Sequence, residues 1–287
     1  MIMSKRLKAI IYMIIASILF TTLNLFGKLS NEISLYMKAF ISNVTAFIII
    51  STVIIKNKIS FIGKKENFKY LLTRGICGTL SAFSLFYTLD NLILSDSTLL
   101  SKLGPFFATI FGFIILKDTV EKKQIIFLLI TFVGVLFVIK PNLSIKIFPA
   151  LIGLLGATFA GIAFTMIRKI GDAESNFTII FYNIFISIIS SIPFIINEKD
   201  ILLHTSNIVY MILGGLCISF GQIFLTLAYK NAPASNIAMY DYTGLLASAI
   251  YGILIFNEYP DFLSIIGYLI IILVSLINFL SLKNKIN

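Results

Sequence analysis

The chain has no tryptophan, a single histidine and two cysteines among its 287 residues, and only 13% of it is charged. Each shortage removes a class of function. His204 stands without an HExxH pattern or a cluster of His and Asp, and no GxSxG turn is present, so neither a metallohydrolase nor a serine hydrolase has its machinery. No P-loop occurs, which excludes direct use of ATP. Cys77 and Cys217 lie within apolar runs, where cysteine packs as a small hydrophobe. No disulfide, metal, cofactor or catalytic residue is therefore expected, and the chain is not expected to be an enzyme.

What fills the space is apolar. Hydrophobic residues make up 58% of the chain, whereas a soluble globular chain is roughly half apolar and about a quarter charged. Crossing hydrocarbon takes about 20 apolar residues per helix, and the apolar runs end at polar clusters such as "KNKISFIGKKENFK", "KDTVEKK" and "RKIGDAESN". Ten spans are predicted, near 7–27, 34–55, 70–89, 94–116, 123–140, 147–168, 177–196, 207–229, 234–256 and 261–282. Unbroken apolar runs without strand-like alternation favour helices over a barrel, so the expected class is an all-α integral membrane protein. The first run follows "MIMSKRLK" but is long enough to span and has no small-residue cleavage site, so it is expected to remain as a helix.

A net charge of +10 would suit a nucleic-acid binder, but the position of the charges argues otherwise. If the N-terminus is cytoplasmic, seventeen of the 23 Lys and Arg residues fall on that side. Five fall outside (Lys28, Lys38, Lys140, Lys146 and Lys199), and Lys102 lies within a helix. Such a bias is the positive-inside pattern and predicts that both termini are cytoplasmic. The basicity is topological, and membrane lipids rather than nucleic acid are the expected partners. Richness in Ile, Lys, Asn and Phe fits an AT-rich bacterial genome, so the plasma membrane of a bacterium is the expected location.

Comparing the chain with itself at an offset of 140 aligns residues 74–139 with 214–279 without a gap. Gly75 meets Gly215, Cys77 meets Cys217, Asn91 meets Asn231 and Asp118 meets Glu258. Gly104, Ala108 and Gly112 meet Gly244, Ser248 and Gly252, so a small-xxx-small triplet recurs in register. Upstream, "ASILFTTLNLFGK" resembles "ATFAGIAFTMIRK" at an offset of 141. The chain reads as two five-helix units, residues 1–142 and 143–287. Because five is odd, the second unit must enter the membrane from the opposite side. Two inverted repeats are the architecture of secondary transporters, in which the halves exchange conformations.

Several segments carry a family resemblance. "RGICGTLSAFSLFYTL", "LLSKLGPFFATIFGFIILKD" with Pro105, "FVGVLFVIKP" and "YDYTGLLASAIYGILIFNEYPD" with Glu258 resemble the drug/metabolite transporter superfamily in its ten-helix EamA form. Asp118 stands where Glu is more usual, and Lys38 where Arg is common; Arg and Lys differ in hydrogen-bond geometry. The resemblance implies a cavity lined by helices 1–4 and 6–9, with helices 5 and 10 peripheral. It does not fix a substrate.

Polar residues in hydrocarbon need a partner or a wet cavity, so polar stripes at helical spacing mark the inward face. Ser17, Thr21, Asn24 and Lys28 form one stripe, and Thr158, Gly161, Thr165 and Arg168 form its repeat mate. Thr98, Lys102, Pro105, Thr109 and Gly112 form another, matched by Asp241, Gly244, Ser248 and Gly252; Tyr182, Asn183, Gln222 and Thr226 add to them. Small residues in such stripes serve close packing as readily as substrate contact. Arg74, Arg168 and Lys169 are expected at lipid headgroups or helix ends. Lys102, Asp241, Asp96 and Lys38 are the charges deep enough to be functional. Pro105 is expected to open its helix at Ser101, making a cavity wall of which Lys102 is the charged contact, able to pair with Asp241.

The expected substrate-binding set is Asn24, Lys102, Thr165, Gln222, Asp241 and Tyr242, and the expected function is secondary transport of small amino-acid-like or zwitterionic metabolites. Alternatives are a proton-coupled exporter of hydrophobic cations, a structural or receptor subunit, or an enzyme acting on lipids. A homodimer is compatible with the sequence.

Overall fold

A computed structural model describes residues 5–30, 34–92, 100–139, 147–196, 205–257 and 259–283. Asp96, Thr98, His204 and Glu258 lie outside the described residues. Those described form helices: α1 Lys5–Leu29, α2 Leu35–Lys56, α3 Phe68–Asn91, α4 Gly104–Leu116, α5 Lys122–Ile139, α6 Ile147–Ile170, α7 Asn176–Ile195, α8 Thr205–Asn231, α9 Ala234–Phe256 and α10 Phe262–Lys283. Eight of them are long and apolar enough to cross a membrane. The other two are α4, with 13 residues, and α3, whose 24 residues include Lys69, Arg74 and Asp90. The protein is an all-helical, multi-pass membrane protein.

The helices are sorted by what they face. Large apolar side chains such as Ile48, Ile114, Leu129, Leu151, Leu254 and Leu273 point outward and are exposed, a surface that water would not tolerate over so wide an area and that lipid requires. Inside, Ala9, Ile10, Met13, Tyr229, Ile237, Tyr240 and Tyr242 form the main core. Ala46, Ile50, Ile54, Ile180, Ile184 and Ile218 form a second one between α2, α7 and α8.

The packing repeats itself. Helix α1 lies on α8 and α9, and α6 lies on α3 and α4; α2 touches α8 and α7, and α7 touches α3; α5 pairs with α10. Exchanging each helix of one repeat for its counterpart leaves this pattern unchanged. Local geometry follows the same rule. Lys117 and Asn257, which are equivalent positions, both adopt left-handed backbone conformations, with φ of 56° and 54°. Their N–H groups cap the carbonyls of Gly112 and Gly252, also equivalents.

Close helix crossings occur at several glycines, as expected for membrane helices, though not at all those anticipated. A Cβ on Gly75 would lie 2.9 Å from the Tyr182 carbonyl oxygen, and one on its equivalent Gly215 would lie 2.7 Å from that of Ser42. A Cβ on Gly134 would lie 2.9 Å from the carbonyl oxygen of Gly267, so α5 and α10 meet backbone to backbone. At Gly112, by contrast, a Cβ would meet the Asp118 carboxylate at an ordinary 3.4 Å and no neighbouring helix backbone. The triplet is shared by both repeats, but in α4 its tight crossing does not extend to Gly112.

Candidate functional site

Both fourth helices of the repeats are interrupted at the same place. In the first repeat, Leu100 and Ser101 are helical, Lys102 and Leu103 form a turn, and α4 begins at Gly104 with Pro105 in its first turn. Proline has no N–H to offer the Ser101 carbonyl, and the next two amides, of Phe106 and Phe107, both turn to Leu103 O, at 3.0 and 3.2 Å. In the second repeat, α9 opens as Ala234–Ile237, tightens to a 3-10 turn over Ala238–Tyr242 and resumes as an α-helix at Thr243. The first helix is interrupted where Pro105 was expected to open it, and the span expected over 234–256 is interrupted as well. Proline accounts for the first break; nothing in the composition of the second announces it.

The charged pair sits at these breaks. Lys102 Nζ donates to Asp241 Oδ2 at 3.1 Å, with the two side chains 21% and 25% exposed. Lys102 therefore turns inward rather than snorkelling to an interface. The Tyr242 hydroxyl, itself buried, donates to the Lys102 carbonyl at 3.0 Å, and the ammonium stands 6.0 Å from the Tyr242 ring centroid. Lys102 and Tyr242 are equivalent positions of the two repeats, so their contact marks where the repeats face each other. Helix α1 closes the second break. The Ser17 hydroxyl donates to the Asp241 carbonyl and accepts from Gly244 N–H at 2.9 Å, satisfying backbone groups that would be costly to leave bare in hydrocarbon. Thr21 adds a bond to the Gly244 carbonyl at 3.2 Å. Only glycine fits there, because a Cβ on Gly244 would fall 2.6 Å from both hydroxyl oxygens.

The remaining expected contacts divide. Gln222 lies on α8, half-buried, and its amide oxygen accepts from Arg74 Nη2 at 3.1 Å. Thr165 is buried and its hydroxyl bonds its own helix, at Gly161 O, 2.8 Å away. It lines a small cleft with Ala108, Asp118, Arg168 and Tyr229. Asn24 is exposed on α1 and is not part of the Lys102–Asp241 cluster. Helix periodicity put Asn24 on the stripe of Ser17, Thr21 and Lys28; Ser17 and Thr21 bond α9 and the Lys28 ammonium lies 4.0 Å from the Phe256 ring centroid, whereas Asn24 is exposed.

Arg74 requires a correction. Expected at headgroups or a helix end, it is 2% exposed, and its Nη1 donates to Asn183 Oδ1 at 2.7 Å while Nη2 reaches Gln222. Gly78 makes room for it, since a Cβ there would lie 2.4 Å from Nη1. The sequence signal was Gly78 one helical turn after Arg74, facing the polar stripes of two other helices. Tyr229, stacked on Phe164 with centroids 4.8 Å apart, lies within electrostatic reach of both Arg74 and Asp241. Arg168 does cap a helix end, donating to Lys230 O at 2.9 Å, with Asp118 3.9 Å away. Beside it, Lys230 Nζ donates to Glu174 O at 2.7 Å, and the Glu174 carboxylate accepts from Lys64 N–H at 2.8 Å and Asn67 Nδ2 at 2.7 Å. These bonds tie the α2–α3 connection to the α6–α7 turn.

Known proteins share this plan. The model of the EamA-like transporter family matches the chain twice, over residues 7–140 and 147–280. A pseudopaline exporter of Pseudomonas aeruginosa is 29% identical over 209 residues, covering 72% of this chain and 74% of that protein. Human solute carrier family 35 member G1 is 24% identical over 278 residues, covering 91% and 76% respectively. One crystal structure superposes with a TM-score of 0.84 at 12% identity, covering 96% of this chain and 98% of that one, which speaks for the fold alone. Two successive matches, each spanning five of the helices described above, leave one assignment: the chain belongs to the EamA-like transporter family, within the drug/metabolite transporter superfamily, and is a membrane transporter.

Proposed function

We propose that the protein is a secondary transporter that carries small amino-acid-like zwitterions by alternating access, with Lys102 receiving the substrate carboxylate and Asp241 its ammonium group. The observation that carries this reading is the Lys102–Asp241 bond of 3.1 Å at the coincident breaks of two repeat-related helices. A pair of opposite charges held together without ligand is complementary, once parted, to a ligand bearing the same two charges. Discontinuous helices whose exposed ends meet a substrate are the recurring device of transporters built from repeats.

All ten helices cross the membrane in this reading, and the five-helix repeats are inverted. The axis relating inverted repeats lies in the membrane plane. The contact of Lys102 with its repeat equivalent Tyr242 supports a site near that axis, at mid-depth and reachable from either side as the repeats rock. Both termini face the cytoplasm of a bacterial cell, following the Lys and Arg bias. Similarity to a named exporter favours export as the direction. Gln222, beside Arg74, and Tyr242, which holds the Lys102 backbone in place, complete the site.

The test is counterflow by purified protein in liposomes loaded in turn with neutral, cationic and anionic amino acids and with hydrophobic cations. Accumulation of labelled amino acid supports the reading. Accumulation of hydrophobic cations alone, dependent on Asp241, would favour a cation exporter instead.

A further inference from the structure

Beside Lys102 and Asp241, a further charge is held inside the bundle. Arg74 is fully buried in α3, and among the described residues no carboxylate pairs with it; both of its partners are neutral amides. With Lys102 and Asp241 cancelling, the positive charge of Arg74 remains. A zwitterion adds none and leaves that charge standing.

The guanidinium is also used unevenly. Its Nη1 corner is engaged by Asn183, which is itself buried. The opposite edge, formed by Nε and Nη2, can take a carboxylate in two parallel bonds. On that edge Nε is buried without a hydrogen-bond partner, and Nη2 has only the amide oxygen of Gln222, at 3.1 Å. One amide oxygen occupies a place shaped for two carboxylate oxygens. Gln222 is also the least buried member of the cluster, so it is the member a ligand would displace. Tyr229 is within electrostatic reach of both Arg74 and Asp241.

We propose that the Nε–Nη2 edge of Arg74 is a second anion subsite, which receives a further carboxylate of the substrate in place of the Gln222 amide. The substrate class is then an amino-acid-like molecule with two carboxylates and one ammonium group, net charge minus one. This assignment rests on the reading of Lys102 and Asp241 as the zwitterion site and extends it to Arg74. Bound substrate would leave Lys102, Asp241 and Arg74 neutralised as a set. Asn183 is a positioning residue here, holding Nη1 beside Gly78.

Ligand-induced thermal stabilisation and counterflow, measured with glutamate, glutamine, the α-amide of glutamate, and longer amino dicarboxylates, separate the two subsites. The wild-type protein should bind its best dicarboxylate about tenfold or more tightly than the side-chain amide, the worth of a charge-assisted bond. Arg74→Gln should erase that preference while keeping discrimination against the α-amide. Arg74→Lys should retain part of it, as charge without the fork. Should the Arg74 variants fail to fold, Gln222→Glu supplies the missing carboxylate internally: it should fold at least as stably as wild type and lose the preference for a second carboxylate. Preference for neutral amino acids in the wild type, preference surviving Arg74→Gln, no binding of any dicarboxylate tested, or preference unchanged in Gln222→Glu would each overturn the Arg74 assignment. Equal binding of acid and α-amide would overturn the Lys102 reading instead, and the two failures are thus told apart.

Discussion

Replacing Lys102 by methionine keeps the length and apolar stem of the side chain and removes its charge, leaving the Asp241 carboxylate facing an apolar neighbour. Breaking a fully buried pair in this way costs about 3–5 kcal/mol, whereas an exposed pair is worth about 0.2–1 kcal/mol. With side chains 21% and 25% exposed, Lys102 and Asp241 fall between these limits, and a loss of about 1–3 kcal/mol is expected for Lys102→Met or Asp241→Asn alone. The Tyr242 bond goes to the Lys102 carbonyl and survives both changes, so the loss isolates the charges. In the double variant neither charge is stranded, and stability should return most of the way to wild type. Thermal unfolding of the four proteins in detergent forms the cycle, and counterflow on the same samples separates stability from function: the double variant should be stable and inactive. Additive losses in the double variant, or a silent Lys102→Met, would refute the pairing argument.

Gly244→Ala should lower the yield of monodisperse protein on size-exclusion chromatography, because its Cβ would lie 2.6 Å from the Ser17 and Thr21 hydroxyl oxygens, whereas Gly112→Ala, whose Cβ meets Asp118 at 3.4 Å, should behave as wild type. Glu174→Ala removes the acceptor of the Lys64 N–H and Asn67 bonds and should make residues 57–67 cleave faster under limited proteolysis, at a cost of about 1–3 kcal/mol; an unchanged cleavage rate would show that the connection is held by other contacts. Tags at either terminus or within residues 60–68 should be labelled only after the cell membrane is permeabilised, and labelling of intact cells would reverse the topology.

The repeats were legible in the sequence because symmetry-related positions must solve the same packing problem. Gly75 and Gly215 each admit a neighbouring backbone, and that constraint preserves both glycines in register. Lys102 and Asp241 were legible as a pair because charge in hydrocarbon is expensive and few residues carry it. The break in α9 was not, since Ala238–Tyr242 has ordinary helical composition and its distortion is stabilised by Ser17, more than 200 residues away in the chain. Arg74 was misjudged for a related reason. Its position near the start of α3 reads as an interface, and only the folding of α7 and α8 around it brings Asn183 and Gln222 to its guanidinium. Asn24 shows the limit of periodicity, which assigns a face to a residue but not what stands opposite it.

The most direct test of the account is the ratio of counterflow for the best amino acid substrate to that for its α-amide, measured in wild-type protein and in Lys102→Met. The account predicts a strong preference for the acid in wild type and its collapse in the variant, with transport of the acid falling far more than that of the amide. Equal losses for acid and amide would contradict it, because Lys102 would then not be reading the carboxylate.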